Sequence, residues 1–420
     1  MHAYLPRIAD DELERRLAAF GAVSICGPKW CGKTTTGRQH CSSEISMADP
    51  TDDFAARRRA DLDPASVIEG ARPRLIDEWQ EVPKLWDAVR YACDRSGEPG
   101  GFILAGSSTP RDDDRPMHSG VGRVVPLRMD TMTLSEAGVS SAGLSLRSLM
   151  AGSLRTGLSG GIAGLRGVAD LVCRGGWPQA VGLSTEEAML IAEGYVETLA
   201  ESDVSRVDGV RRDPSQVRGL LASLARNEST LASLKTISAD MGRSPSRNTV
   251  SQYVAALRRL YVVDDIPAWA PALRSPVRLR ETPKHHLADV SLAVAAMGAS
   301  PDGLAEDPKT LGLLFESLAL HDLKVYAAGL GASVCHYRDD SGLEVDAIVA
   351  GKDGSWLPIE IKLGAAQVHE AERSLMRLER KMTERGERPP VAKCVIVGFG
   401  APAHVTDLGA QVVPLDVLGP

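Results

Sequence analysis

An α/β fold built on a parallel sheet is what three apolar runs of this sequence predict. They are Ala22 to Cys26, the run inside Pro73 to Gln80 and the run inside Gly101 to Ser108. Short unbroken apolar runs bounded by turn residues read as strands buried on both faces. The first run leads into Gly27-Pro28-Lys29-Trp30-Cys31-Gly32-Lys33-Thr34, a complete G-x-x-x-x-G-K-T loop, and Thr35 to His40 can open a helix behind it. Strand, glycine loop and helix N-terminus together make a phosphate cradle, because backbone N–H groups and the positive end of the helix face the same anion.

Composition limits what surrounds this loop. At 420 residues the chain is too long for one ordinary core, and two to four domains are expected. Aromatic residues make up only 4%, so Leu, Val and Ala must build the cores and stacking platforms for single strands are not conspicuous. A formal net charge of −7 argues against a protein that coats nucleic acid with its whole surface, while leaving room for a local basic channel. No run approaches a membrane span and Met1 to Asp10 lacks the apolar core of a signal peptide, which predicts a soluble, cytoplasmic protein without a membrane partner. The seven cysteines are scattered without C-x-x-C spacing, and only Cys31 lies near chemistry.

In chain order, Asp10 to Phe20 carries Leu13, Leu17 and Phe20 at helical spacing. In the loop, Lys33 would neutralise phosphate oxygens and the Thr34 hydroxyl would complete a Mg²⁺ shell, with Gly27 to Thr35 forming the ATP-binding segment. Arg57, Arg58 and Arg59 read as a solvated helix face. The run at Leu75-Ile76 ends in Asp77-Glu78. Asp77 is expected to hold Mg²⁺ through water, and Glu78 to polarise the attacking water, which makes the site a hydrolysing one.

These motifs, with Gly122-Arg123, Pro126-Leu127 and Leu134-Ser135-Glu136, resemble AAA-type ATPases that carry a C-terminal DUF4143 domain. The resemblance implies a γ-phosphate sensor at Ser107 or Ser108. It also implies that Arg123 reaches a neighbouring subunit's nucleotide, with Arg111, Arg115 and Arg128 competing for that role. An arginine supplied in trans implies a homo-oligomeric ring, with a hexamer expected.

Residues 140 to 165 are rich in Gly, Ser and Leu and read as a flexible connector with some helix. Gly175-Gly176-Trp177-Pro178 punctuates the chain before a helix from Thr185 to Ser202, and the same resemblance makes it the end of a lid. Helices are then expected over Leu231 to Gly242 and Asn248 to Val262 with a turn at Ser244 to Arg247, a helix-turn-helix of winged type. Arg247, Ser251 and Arg258 fall on the face opposite Val250, Val254, Leu257 and Tyr261, where they could meet DNA. Arg274, Arg278, Arg280, Lys284, His285 and His286 extend the basic character. Two adjacent histidines seldom point to one metal, so zinc is not expected there.

The last stretch has a second constellation. Glu316 interrupts an apolar helix, where an acid is costly without a task or a partner. Gly342 to Val349 and Leu357 to Lys362 predict a hairpin that brings Asp346 near Glu360, with Glu360 and Lys362 on one face. Paired carboxylates can bind Mg²⁺ beside a lysine that stabilises hydroxide or phosphate. The set resembles the PD-(D/E)xK nuclease core of Holliday-junction resolvases, with Asp346, Glu360 and Lys362 at the motif positions, Glu316 the helical acid and Glu344 an extra acid. The other reading is a binding scaffold whose acids and lysine form an internal salt-bridge network.

The expected layout is an AAA-type P-loop ATPase core at 1–140, a helical lid and connector at 141–213, a winged helix at 214–270 and a restriction-endonuclease-like α/β domain at 271–420. The functional expectation is an ATP- and Mg²⁺-dependent ring that remodels DNA, branched or junction DNA above all. A nucleotide switch for a protein partner in a defence or toxin-antitoxin setting and an ATP-gated nuclease are the alternatives.

Overall fold

The computed structural model describes residues 4–108, 120–241, 245–271 and 282–420. Contacts divide the chain into two units. The first takes Met1–Thr131, Glu201–Arg212 and Val254–Val262, and the second takes the rest. The expected boundaries were drawn in line along the chain, whereas the compact units are interleaved.

The first unit follows the order α1 (Ile8–Leu17), β1 (Ala22–Cys26), α2 (Lys33–His40), β2 (Ser43–Ser46), α3 (Thr51–Leu62), α4 (Pro64–Ile68), β3 (Arg74–Asp77), α5 (Lys84–Ser96), β4 (Phe102–Gly106) and β5 (Val124–Arg128). All five strands are parallel in the order β2-β3-β4-β1-β5. Alternate residues explain the unbroken apolar runs. Ile103 joins Val23, Ile25 and Leu75 on one face, while Phe102 and Leu104 join Ile76 and Val124 on the other. Each fully buried aliphatic side chain contributes about 1.5–3 kcal/mol, and both faces are covered. The loops at the carboxyl ends of β1, β3 and β4 then fall along one edge, where open α/β sheets bind ligands.

The second unit opens with β6 (Leu144–Ser145) and α6 (Leu146–Met150), followed by α7 (Gly164–Arg174) and α8 (Thr185–Thr198). Leu199–Asp203 continues α8 as a π-turn, after which α9 (Val204–Arg206) lies in the first unit. The expected flexible connector is tied down. Leu144 pairs with Leu418, the Gln411 side chain exchanges two 2.8 Å hydrogen bonds with the Arg155 backbone, and the Asp416 carboxylate accepts from the N–H groups of Gly161 and Ile162. Polar partners from the far end of the chain supply what the Gly- and Ser-rich composition cannot.

Next come α10 (Pro214–Arg226), α11 (Leu234–Asp240) and α12 (Arg247–Arg259). Antiparallel bridges then join Val263 to Leu287 and Ile266 to Lys284. α11 is shorter than expected because Ser233 caps it, its hydroxyl accepting from Thr236 N–H at 3.2 Å. The C-terminal part runs helix Pro308–Gly329, β7 (Ser333–Arg338), β8 (Glu344–Ala350), β9 (Trp356–Gly364), helix Val368–Glu384, β10 (Lys393–Phe399), β11 (His404–Val405) and β12 (Ala410–Pro414), closing with β13 (Leu418–Gly419). Its sheet order is β11-β12-β10-β9-β8-β7, antiparallel through β7, β8 and β9 and parallel through β9, β10 and β12. Helix Val368–Glu384 covers one face with Val368, Ala371, Leu375, Leu378 and Met382, a stripe at helical spacing against Val345, Ile348, Val395 and Val397. Among the described residues no helix is long and apolar enough to cross a membrane.

Candidate nucleotide site

The glycine loop spans from the end of β1 to the start of α2, and two glycines fix its course. A Cβ on Gly27 would lie 1.9 Å from the Met129 carbonyl oxygen, so only glycine fits beside the end of β5. Gly32 has φ 105° and turns the chain into α2. Pro28 and Cys31 are buried, Trp30 and Thr35 are exposed, and Lys29 is half-buried. Arg7, at the start of α1, braces the loop from below. Its guanidinium donates to Cys31 O at 2.7 Å and Asp130 O at 2.8 Å. Lys33 curls into the cradle, where Nζ donates to Pro28 O at 2.6 Å and Gly27 O at 3.1 Å. Carbonyl partners of this kind are weaker than phosphate oxygens for an ammonium, so the lysine is placed to exchange them for an anion.

The ends of β3 and β4 complete the site. Thr34 Oγ1 donates to Asp77 Oδ1 at 2.7 Å and Ser46 Oγ to Asp77 Oδ2 at 3.2 Å. The hydroxyl and carboxylate expected around Mg²⁺ are therefore already together. Glu78 takes φ 50°, left-handed backbone that a non-glycine residue adopts at a cost, and its Oε2 accepts from Gln80 Nε2 and, at 3.2 Å, from Ser107 Oγ. Ser107 is thus engaged with the acid, while Ser108 faces the adjoining cleft.

That cleft measures about 420 Å³, within the range of small-molecule sites. Lys29, Arg57, Glu78, Ser107, Ser108, Asp203 and Arg206 are among its walls. Asp203 and Arg206 were not foreseen. Lys29 Nζ pairs with Asp203 Oδ1 at 2.7 Å across 174 positions of sequence, and no local pattern marks that pair. The π-turn at Leu199–Asp203 carries the aspartate, a distortion often found at functional sites. Arg58 and Arg59 are exposed as a solvated helix face would have them, and the partly exposed Arg57 also bridges to Glu81 at 2.8 Å at the rim of the cleft.

The remaining basic residues are placed as follows. Arg123 is exposed on the approach to β5 and pairs with Asp94, and Arg128 pairs with Asp130 at 2.7 Å and lies over the Tyr261 ring. Arg111, Arg115, Arg274, Arg278 and Arg280 lie outside the described residues. On α12, Arg247, Ser251 and Arg258 are exposed, opposite the buried Val250, Val254 and Leu257, and the helix contains no acid. His285 and His286 diverge: His285 Nδ1 lies 2.9 Å from Asp265, and His286 Nδ1 lies 3.2 Å from Ser317 Oγ and 3.4 Å from Glu228.

The C-terminal constellation also assembles. Ala347 pairs with Ile359, so Asp346 and Glu360 adjoin across the hairpin. Lys362 Nζ bridges Glu360 at 2.6 Å and Asp346 at 2.9 Å, and Asp346 Oδ2 also accepts from Ile361 N–H at 2.8 Å. Glu316 comes in from its helix, and Lys284, read only as part of a basic stretch, contacts it at 2.7 Å. Burial raises the Glu316 carboxyl to about 8, reinforced by Asp346 and opposed by Lys284. Burial likewise raises Glu360 well above the usual range, with Asp346 adding to it. Burial alone would raise Asp346 too, but the ammonium groups of Lys362 and Lys284 and the Ile361 N–H hold it below the usual range.

Three family models match parts of the chain: an AAA domain, AAA_14, at residues 19–138, a domain of unknown function, DUF8612, at 165–303, and a domain of unknown function, DUF4143, at 311–418. Uncharacterised proteins of Mycobacterium bovis and Mycobacterium tuberculosis are each 26% identical over 351 residues, covering 82% of this chain and 70% of theirs. Among solved structures, a Walker-type ATPase of Pyrococcus abyssi aligns over 69% of this chain and 94% of its own at 14% identity, with a TM-score of 0.40. A RuvB variant of Thermotoga maritima aligns over 62% and 89% at 17% identity, with a TM-score of 0.25. The chain therefore carries an AAA_14 domain at 19–138, with the five-stranded parallel sheet of P-loop ATPases, and a DUF4143 domain at 311–418.

Proposed function

We propose that this protein hydrolyses ATP with Mg²⁺ at the loop between β1 and α2 and couples that turnover to DNA. The observation that carries the first half is the 2.7 Å contact between Thr34 Oγ1 and Asp77 Oδ1, with Glu78 held one residue further on. A hydroxyl and a carboxylate joined across two strands, beside a lysine and a helix N-terminus, fit Mg²⁺ and a triphosphate in donor chemistry. Bound there, the ion would neutralise charge developing on the phosphoryl oxygens.

The residues divide the work. Loop N–H groups and the start of α2 hold the phosphates, and Lys33 leaves its carbonyl partners to meet them. Thr34 and Asp77 would hold the ion, while Glu78 orients the attacking water and accepts its proton. Ser107 keeps the Glu78 carboxylate in place, and the Lys29–Asp203 ion pair and Arg206 line the cleft wall.

For the DNA half, the support is α12, which presents Arg247, Ser251 and Arg258 on one exposed face without an acid. Three helices followed by the bridged segments around Val263 and Leu287 support the winged-helix reading, a module that presents such a face to DNA. Branched DNA is the favoured form by analogy with the resolvase-like C-terminal motif. Arg123, exposed beside β5, is proposed to act on a neighbouring subunit's nucleotide in a homo-oligomeric ring, a hexamer.

Phosphate release with Mg²⁺ and ATP, with and without a four-way junction, tests both halves. Turnover should rise with the junction and vanish in Lys33→Ala. A normal rate in Lys33→Ala removes the site. Indifference to every DNA form at moderate salt removes the DNA half, and co-purification of a stoichiometric protein would then identify a protein client.

A further inference from the structure

We propose that Lys284 is a built-in counter-ion standing where a divalent cation would sit among the carboxylates of the C-terminal sheet, so that this cluster holds no metal. The inference is independent of the ATPase reading. Glu316, Glu344 and Asp346, from one helix and one strand, converge on the Lys284 ammonium, and Glu360 adjoins them through Lys362; among the described residues no three of these acids are arranged to hold a metal ion while the lysine is there. The ammonium of Lys284 lies 2.7 Å from Glu316 Oε1, 3.1 Å from Glu344 Oε1 and 3.9 Å from Asp346 Oδ1.

Three features make this a fixture. The Lys284 backbone is pinned, since Ile266 and Lys284 exchange two 2.9 Å backbone hydrogen bonds. Its side chain is 2% exposed, so it is not a surface lysine that has folded inwards. The opposite side of the cluster is closed as well, because Asp346 Oδ2 takes both Ile361 N–H and Lys362 Nζ, and Glu360 takes Lys362. A small dication needs oxygen ligands at about 2.0–2.1 Å. A buried ammonium in contact with two of the same carboxylates repels that ion and occupies its place. The resemblance to metal-dependent nucleases therefore covers the acids and Lys362, whereas Lys284 replaces the ion.

Removing the lysine should uncover the cation site. The full chain is titrated with Mn²⁺ in the absence of nucleotide by electron paramagnetic resonance and by thermal unfolding, in an Asp77→Asn background that removes the carboxylate of the loop site. The parent and Lys284→Arg should show no bound Mn²⁺ attributable to this cluster and no Mn²⁺-dependent rise in melting temperature. Lys284→Met should melt lower without metal, should bind Mn²⁺ at least about tenfold more tightly than the parent, and should be restabilised by it. Adding Asp346→Asn should abolish that gain. The proposal is overturned if the parent binds one Mn²⁺ that Asp346→Asn removes, a measurement that needs no Lys284 variant to fold. It is also overturned if folded Lys284→Met gains no Mn²⁺ binding.

Discussion

Replacing Ser107 with alanine separates a residue that positions the base from one that senses nucleotide. The Ser107 hydroxyl donates to Glu78 Oε2 at 3.2 Å, and Gln80 donates to the same oxygen. One charge-assisted bond of that length is worth about 1.5 kcal/mol, the low end for bonds to charged groups. With about 1.36 kcal/mol per tenfold in rate, Ser107→Ala should lower kcat roughly tenfold. The KM for ATP should stay unchanged, because the hydroxyl acts on the base and not on the phosphate. In a Glu78→Gln background the same change should cost much less, since there is no carboxylate left to hold. Steady-state phosphate release for the four proteins of this cycle measures both quantities. A raised KM with unchanged kcat, or two losses that simply add, would refute the positioning role and return Ser107 to direct contact with nucleotide.

Gly27→Ala places a methyl group 1.9 Å from the Met129 carbonyl, a backbone atom that cannot rotate away. It should cost roughly 1–3 kcal/mol by denaturant unfolding and abolish binding of a fluorescent ATP analogue; wild-type behaviour in both assays would contradict the packing account. His336 predicts a pH dependence. Burial, and then the Lys284 ammonium, push its imidazole from 6.5 down to about 4, against weaker pulls from the Thr282 carbonyl and Glu344 and with His286 adding to the depression. Between pH 6.5 and 4 the unfolded chain takes up a proton that the folded chain refuses. His336 thus costs nothing above that window, and stability falls as pH drops through it, by up to about 3 kcal/mol. His336→Gln should flatten this slope in denaturant titrations at several pH values, and an unchanged slope would contradict it.

The parts legible in the sequence are those written contiguously. The loop from Gly27 to Thr34 and the acids Asp77-Glu78 sit at strand ends, and both strands are unbroken apolar runs because both faces of the sheet are covered. The Asp346 and Glu360 pair was equally legible, since a short hairpin with period two fixes their approach. What sequence reasoning missed is held by long-range contacts. Asp203 reaches Lys29 from 174 positions away on a π-turn that no periodicity announces, and Arg7 braces the loop from before α1. Lys284 read as one of several basic residues, because nothing local distinguishes a surface lysine from one buried against Glu316. The stretch 140–165 read as flexible because its anchors, Gln411, Asp416 and Leu418, lie at the other end of the chain.

The central claim, that Glu78 activates water on ATP held by the Lys33 loop, is tested most directly on Glu78→Gln. ATP binding and phosphate release are followed in parallel with Mg²⁺. The account predicts that the variant retains stoichiometric ATP binding while its turnover falls by about 10² to 10⁴ relative to the parent. Turnover at the parent rate with ATP bound would contradict it.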